Sequence, residues 1–114
     1  MFSDVTSSAL KVALSGLAMR QNVIANNIAN VETPGFRAGK VQFENALSAA
    51  LGSGADTSTL QPSEATSLEP TRLDGNNVNL DEETLSNVDT GLRYQLVLRA
   101  LDSRYSLMHD VIKG

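Results

Sequence analysis

Apolar positions recur with helical spacing near both ends of the chain and lose their periodicity between them. Residues 4–31 read as one helix. Leu10, Leu14, Leu17, Gln21, Ile24, Ile28 and Val31 step by four and three, an apolar seam with one polar member. A second series, Val5, Ala9, Val12, Gly16, Met19 and Val23, steps the same way and runs on into Asn26 and Asn30. At about 100° per residue it lies on roughly the opposite face. A helix with one apolar stripe hides it in a hairpin, whereas one with two needs cover on both sides. Ser3 or Asp4 is placed to cap its start.

Residues 79–112 read as a second long helix. Asn79 is a good N-cap, with Glu82 three residues later as in a capping box. Asp81, Glu82 and Glu83 crowd the first turn, where the helix dipole favours them. One stripe runs Tyr94, Leu98, Leu101, Tyr105, Met108, Ile112. Another, on a largely different face, runs Leu85, Val88, Leu92, Leu96, Ala100, Leu107, Val111. The two helices give rods of roughly 42 and 51 Å. One face of each closes an antiparallel coiled coil, and the remaining faces call for other copies or other proteins.

Between them, residues 41–51 read as a short helix, with Phe43, Leu47 and Ala50 (and Leu51) at helical spacing. The alternation of Val41 and Phe43 also permits a strand. Residues 52–75 are rich in Gly, Ser, Thr, Pro and Glu and read as a loop that is disordered in the free chain. The expected fold is therefore all-α. Long N- and C-terminal helices form an antiparallel coiled-coil hairpin, with a short extra helix and a long irregular middle loop. Residues 1–34 form the first core helix, 35–78 the turn, short helix and flexible loop, and 79–114 the second core helix, all in a single core domain.

The first helix ends in an unusual way. Asn22, Asn26, Asn27 and Asn30 occupy its last turns, although asparagine amides compete for backbone groups and weaken helices. Pro34 disfavours helical geometry at Thr33, and Pro34-Gly35 fits the centre of a type II turn. The plain reading is a helix end whose amides bond to the turn that follows. The sharper one is that they also face a neighbouring chain. Asp74-Gly75-Asn76-Asn77-Val78 reads as a turn feeding the second helix and needs no function.

A chain of 114 residues is one small domain at most. Its net charge of −4 argues against a nucleic-acid partner. With no cysteine, neither disulfides nor a thiolate metal site is possible. There is no signal-peptide pattern and no apolar run long enough for direct membrane insertion. The one histidine, His109, lies off both stripes and is best read as solvated or cap-interacting. The acidic cluster at 81–83 reads as capping, Met19 and Met108 as packing, and Gly52-Ser53-Gly54 as too short for a phosphate loop. These readings leave no catalytic residue, no cofactor site and no metal site.

Ala25-Asn26-Asn27-Ile28-Ala29-Asn30, followed by Thr33-Pro34-Gly35-Phe36, resembles the N-terminal signature of bacterial flagellar rod, hook and hook-associated proteins, which polymerise into a tube. Phe36 stands where tyrosine is also common. The C-terminal part runs from Gly75-Asn76-Asn77-Val78-Asn79-Leu80 through Leu92-Arg93-Tyr94-Gln95 to Met108 and Ile112-Lys113-Gly114. It resembles the end of proximal-rod members of that superfamily, and the small size selects the shorter of two types. The likeness covers residues 9–51 and 75–114, and the middle carries none.

The resemblance implies a non-enzymatic structural subunit, exported unfolded by the flagellar type III apparatus without a cleaved signal peptide. It would assemble in the periplasmic rod of the basal body as part of the drive shaft and export channel. Implied partners are other copies of the chain, other proximal rod proteins, the MS-ring–rod junction protein, the MS ring and the export gate. On that footing Leu10, Leu14, Leu17, Ile24, Val12, Met19, Val23, Leu92, Leu96, Leu98, Leu101, Tyr105 and Met108 are subunit-packing positions. One seam closes the hairpin and the other grips neighbours, while the Asn-rich turn fixes register. Asn30→Ala or Pro34→Ala is then expected to impair assembly more than export, and Val12→Asp or Leu96→Asp to block incorporation while sparing secretion. The reading from another class is a cytosolic coiled-coil adaptor or export chaperone, separated by its location.

Overall fold

The computed structural model describes residues 2–113. Met1, Gly114 and the side chains of Phe2, Ser3, Asp4, Met108 and Lys113 lie outside what is described, and the start expected at Ser3 or Asp4 is displaced, since both residues lie inside a helix that begins at Phe2. Helix α1 (Phe2–Ala29) leads to strand β1 (Gly39–Gln42), helix α2 (Glu44–Ser53), strand β2 (Ser63–Thr66) and helix α3 (Leu80–Lys113). The molecule is a bar of 63 × 26 × 15 Å. Its length is that of α3, roughly 51 Å at about 1.5 Å per residue, plus the turns at one end.

The two long helices form where the periodicity places them, and they lie side by side in opposite directions. A Cβ on Gly91 of α3 would stand 3.7 Å from Gln21 Nε2 of α1. Nearer the other end, Lys11 and Leu14 share a groove with Leu98, Leu101 and Tyr105. Asn79 caps α3 as expected, accepting the Glu82 N–H at 3.2 Å.

The middle of the chain departs from expectation. The fold is mostly helical but not all-α, because β1 and β2 pair antiparallel, Gly39 opposite Thr66 and Gln42 opposite Ser63. The short helix starts at Glu44, not 41, since Val41 belongs to β1 and Phe43 sits in an extended φ of −156° ahead of the helix. It ends at Gly54 with φ +73°, where Gly54 N–H bonds Leu51 O and Ala55 N–H bonds Ala50 O, the paired bonds of a glycine-terminated helix. Residues 52–75 are not a free irregular loop. They contain β2, and Thr57 is buried with its Oγ1 donating to Ser8 Oγ of α1 at 3.1 Å.

This segment folds back over the second apolar stripe of α1. Leu17, Val23, Val41 and Phe43 form the core, with Ala13, Met19, Leu47, Tyr94 and Val97 packed around it. Phe43 lies on Gly16, and a Cβ there would collide with its ring. Burying a phenylalanine contributes up to about 3 kcal/mol, and only a glycine lets this one reach the helix backbone. The first helix does need cover on both sides, and its own chain supplies both covers.

Candidate functional site: a polar joint and an uncovered helix face

Two turns meet at one end of the bar. The first is the expected type II turn: Gly35 has φ +74°, and Phe36 N–H bonds Thr33 O at 3.2 Å. The second surrounds Gly75, with φ +83° and its N–H on Arg72 O at 2.9 Å. Gly35 N–H donates to Asp74 O at 2.8 Å, and Asn77 N–H to Phe36 O at 3.2 Å. A Cβ on Gly75 would stand 3.3 Å from Gly35 Cα, so both glycines are needed, for positive φ and for close approach.

Three buried asparagine amides lock this joint. Asn27 acts as a short strand partner: its Nδ2 donates to Gly39 O at 3.0 Å, and its Oδ1 accepts Gly39 N–H at 2.9 Å. Asn76, fully buried, donates from Nδ2 to Asn30 O at 2.8 Å, Val31 O at 3.2 Å and Thr33 O at 2.8 Å. Those carbonyls belong to the turn just past α1, where Asn30 O and Thr33 O also accept the Thr33 and Phe36 N–H groups. Its Oδ1 accepts Val78 N–H at 2.7 Å. Asn77 ties the neck of the β1–α2–β2 excursion. Its Oδ1 accepts Ala38 N–H at 2.7 Å, and its Nδ2 donates to Ser67 O at 3.2 Å and Glu69 O at 3.1 Å. Arg72 then bridges the segment just after α1 and the segment just before α3, donating to Val31 O and Val78 O at 2.6 Å each. A cation at the C-terminus of α1 also suits the helix dipole.

Charge pairs fix the excursion to both helices. The Arg20 guanidinium forks onto Glu44 at 2.6 and 2.7 Å, donates to Val41 O at 2.7 Å, and lies 5.1 Å over the Phe43 ring. Its hydrogen bonds hold the Glu44 carboxyl below the usual carboxylate range. From β1, Lys40 Nζ lies 3.7 Å from both Glu82 and Glu83 in the first turn of α3.

Of the motif residues, Asn27 is buried; Ile28, Asn30 and Phe36 are half-buried; Ala25, Asn26, Ala29, Thr33, Pro34 and Gly35 are exposed. Asn30 Nδ2 donates to Asn26 O at 2.8 Å, and Asn30 Oδ1 accepts Thr33 Oγ1 at 3.0 Å. The amides therefore bond chiefly to the turn and strand of their own chain. Among the seam positions Val12, Leu17, Val23, Ile24 and Leu101 are buried, and Leu10, Leu14 and Met19 half-buried. Leu92, Leu96, Leu98 and Tyr105 are exposed. The outer stripe of α3 stands open: Leu85 is 73% exposed, Leu92 68% and Leu96 68%.

Several contributors escaped the sequence reading. Asn76 and Asn77 lie in a stretch read as a plain turn, and Arg72 in one read as a disordered loop. Glu83 and Thr90 are buried on the inner face of α3, where counting apolar residues passes over them. Their heptad spacing to Val97 was the available signal. Among the described residues no three His, Asp or Glu side chains group as a metal site. No helix of the described residues is long and apolar enough to cross a membrane.

Two long helices held in fixed register by a polar joint, with one helix face left apolar, define a packing subunit. Residues 5–37 match the family described as flagella basal body rod protein. Over 122 residues the chain is 32% identical to the flagellar basal body rod protein FlgB of Escherichia coli (strain K12), covering 90% of this chain and 88% of that one. It is 30% identical over 117 residues to FlgB of Bacillus subtilis (strain 168), covering 92% and 91%. With FlgB of Aeromonas hydrophila it shares 33% over 116 residues, covering 90% and 88%. The chain belongs to the flagellar basal body rod protein B family. It is a structural component of the flagellar basal body rod, not an enzyme.

Proposed function

We propose that the chain is a subunit of the proximal rod that polymerises through its two long helices, forming part of the drive shaft and export channel. In this reading the molecule is one axial core domain. α1 and α3 form a coiled coil, and the chain is exported through the type III apparatus without a cleaved signal peptide. Its neighbours are other copies, other proximal rod proteins, the MS-ring–rod junction protein, the MS ring and the export gate.

The observation that carries this reading is the open stripe Leu85, Val88, Leu92, Leu96 on α3. Contiguous apolar surface of this kind on an exposed helix face is an association site. The bar shape suits lateral packing of many copies, and the joint sets the helix register before any neighbour arrives. The test is a Leu92→Asp, Leu96→Asp double substitution. The expected result is a folded, secreted chain that does not enter basal bodies and does not support motility. Normal incorporation and swimming would overturn the reading.

A further inference from the structure

Resting on that reading, we propose that copies of this chain join through two unlike patches. The knob formed by Leu85, Val88 and Leu92 on one copy seats in the groove between α1 and α3 of the next. The knob is an exposed apolar helix face flanked by Glu82 and Asp89, with Asp81 one turn away and Arg93 paired to Asp89 at 2.9 Å. The groove has a volume of about 590 Å³; Leu14, Leu98, Leu101 and Tyr105 line it, and Lys11, Arg99 and Asp102 form its rim. Around the knob Asp81, Glu82 and Asp89 outnumber Lys40, which lies 3.7 Å from Glu82, and Arg93, while on the groove's rim Lys11 and Arg99 outnumber Asp102, so the two patches carry opposite net charge.

The patches lie about 20 Å apart along α3 and roughly a third of a turn apart around it. One partner does not fill both, so each copy touches two others. An interface between unlike patches is heterologous, and it propagates into a ring or a helix instead of closing a dimer.

Because the chain has no cysteine, cross-linking in purified basal bodies tests this without background. Val88→Cys and Leu98→Cys are introduced together in one chain. They stand about 15 Å apart along a single helix, too far to bridge within the chain. The expected result is a ladder of dimers, trimers and larger species that collapses on reduction, absent from either single variant. Adding Lys11→Glu with Arg99→Glu is expected to abolish the ladder, and further Glu82→Lys with Asp89→Lys to restore it. Leu92→Cys with Tyr105→Cys is a second pair that covers local distortion by the first. Dimers from Val88→Cys alone would mean that the knob pairs with itself, and would overturn the proposal. Basal bodies that hold the protein but give no cross-link with either pair would overturn it while leaving the rod reading intact. Absence of the unsubstituted chain from basal bodies would overturn both.

Discussion

Asn76 shows how one side chain closes a helix end. Its amide reaches the carbonyls of Asn30, Val31 and Thr33 from a site with no solvent access, so water does not replace it when it is removed. Asn76→Ala should cost about 1–3 kcal/mol, lowering Tm by roughly 10 °C in a circular-dichroism melt. An unchanged Tm would show that the joint does not depend on this amide. Gly16 poses the opposite problem, too little room. Gly16→Ala drives a methyl into the Phe43 ring and is expected to destabilise by about 1–3 kcal/mol. Combining it with Phe43→Leu should cost less than the sum of the two single changes, and strict additivity would argue against the contact.

At the scale of elements, α2 is held to α1 by Arg20 and Glu44, which gives acid sensitivity a defined sign. The Glu44 carboxyl titrates below its ordinary value of 4.5 because Arg20 bonds its charged form. Its contribution is present above that value and fades as pH falls through the lower, folded-state value. The pair is partly exposed, so the effect is about 0.5–1 kcal/mol at most. Between about pH 6 and about pH 3, Tm of the unchanged chain should therefore fall further than Tm of Glu44→Gln, and parallel losses would rule the pair out. Asp56, likewise lowered by its bonds to Ser58, is present in both chains and cancels.

The long helices were legible because burial on a helix leaves a periodic record. Leu17, Ile24 and Leu101 lie inside as their spacing required. Strand β2 was not legible. Ser63, Glu64, Ala65 and Thr66 are all exposed, so its pairing rests on backbone bonds that leave no mark in hydrophobicity. The joint was half legible. Pro34-Gly35 announced the turn, but the carbonyls that Asn76 and Asn77 satisfy come from residues about 40 positions away or ten, and no local rule connects them.

For the whole molecule the decisive fact is which apolar stripe the chain covers itself. Val12 and Leu96 looked equivalent in sequence, each on the second seam of its helix, and both were expected to face neighbours. Val12 is 8% exposed, close to residues 58–61 of the chain's own excursion, whereas Leu96 is 68% exposed. A carboxylate at Val12 must either be desolvated or push the excursion off α1, either of which costs several kcal/mol. A carboxylate at Leu96 meets water and changes the free subunit by no more than about 0.5 kcal/mol. Val12→Asp should thus collapse the thermal transition of the purified chain, while Leu96→Asp leaves it in place and removes only incorporation into the rod. Equal Tm values for the two variants would mean that the excursion does not seal α1, and the intersubunit surface would then have to be sought on both helices.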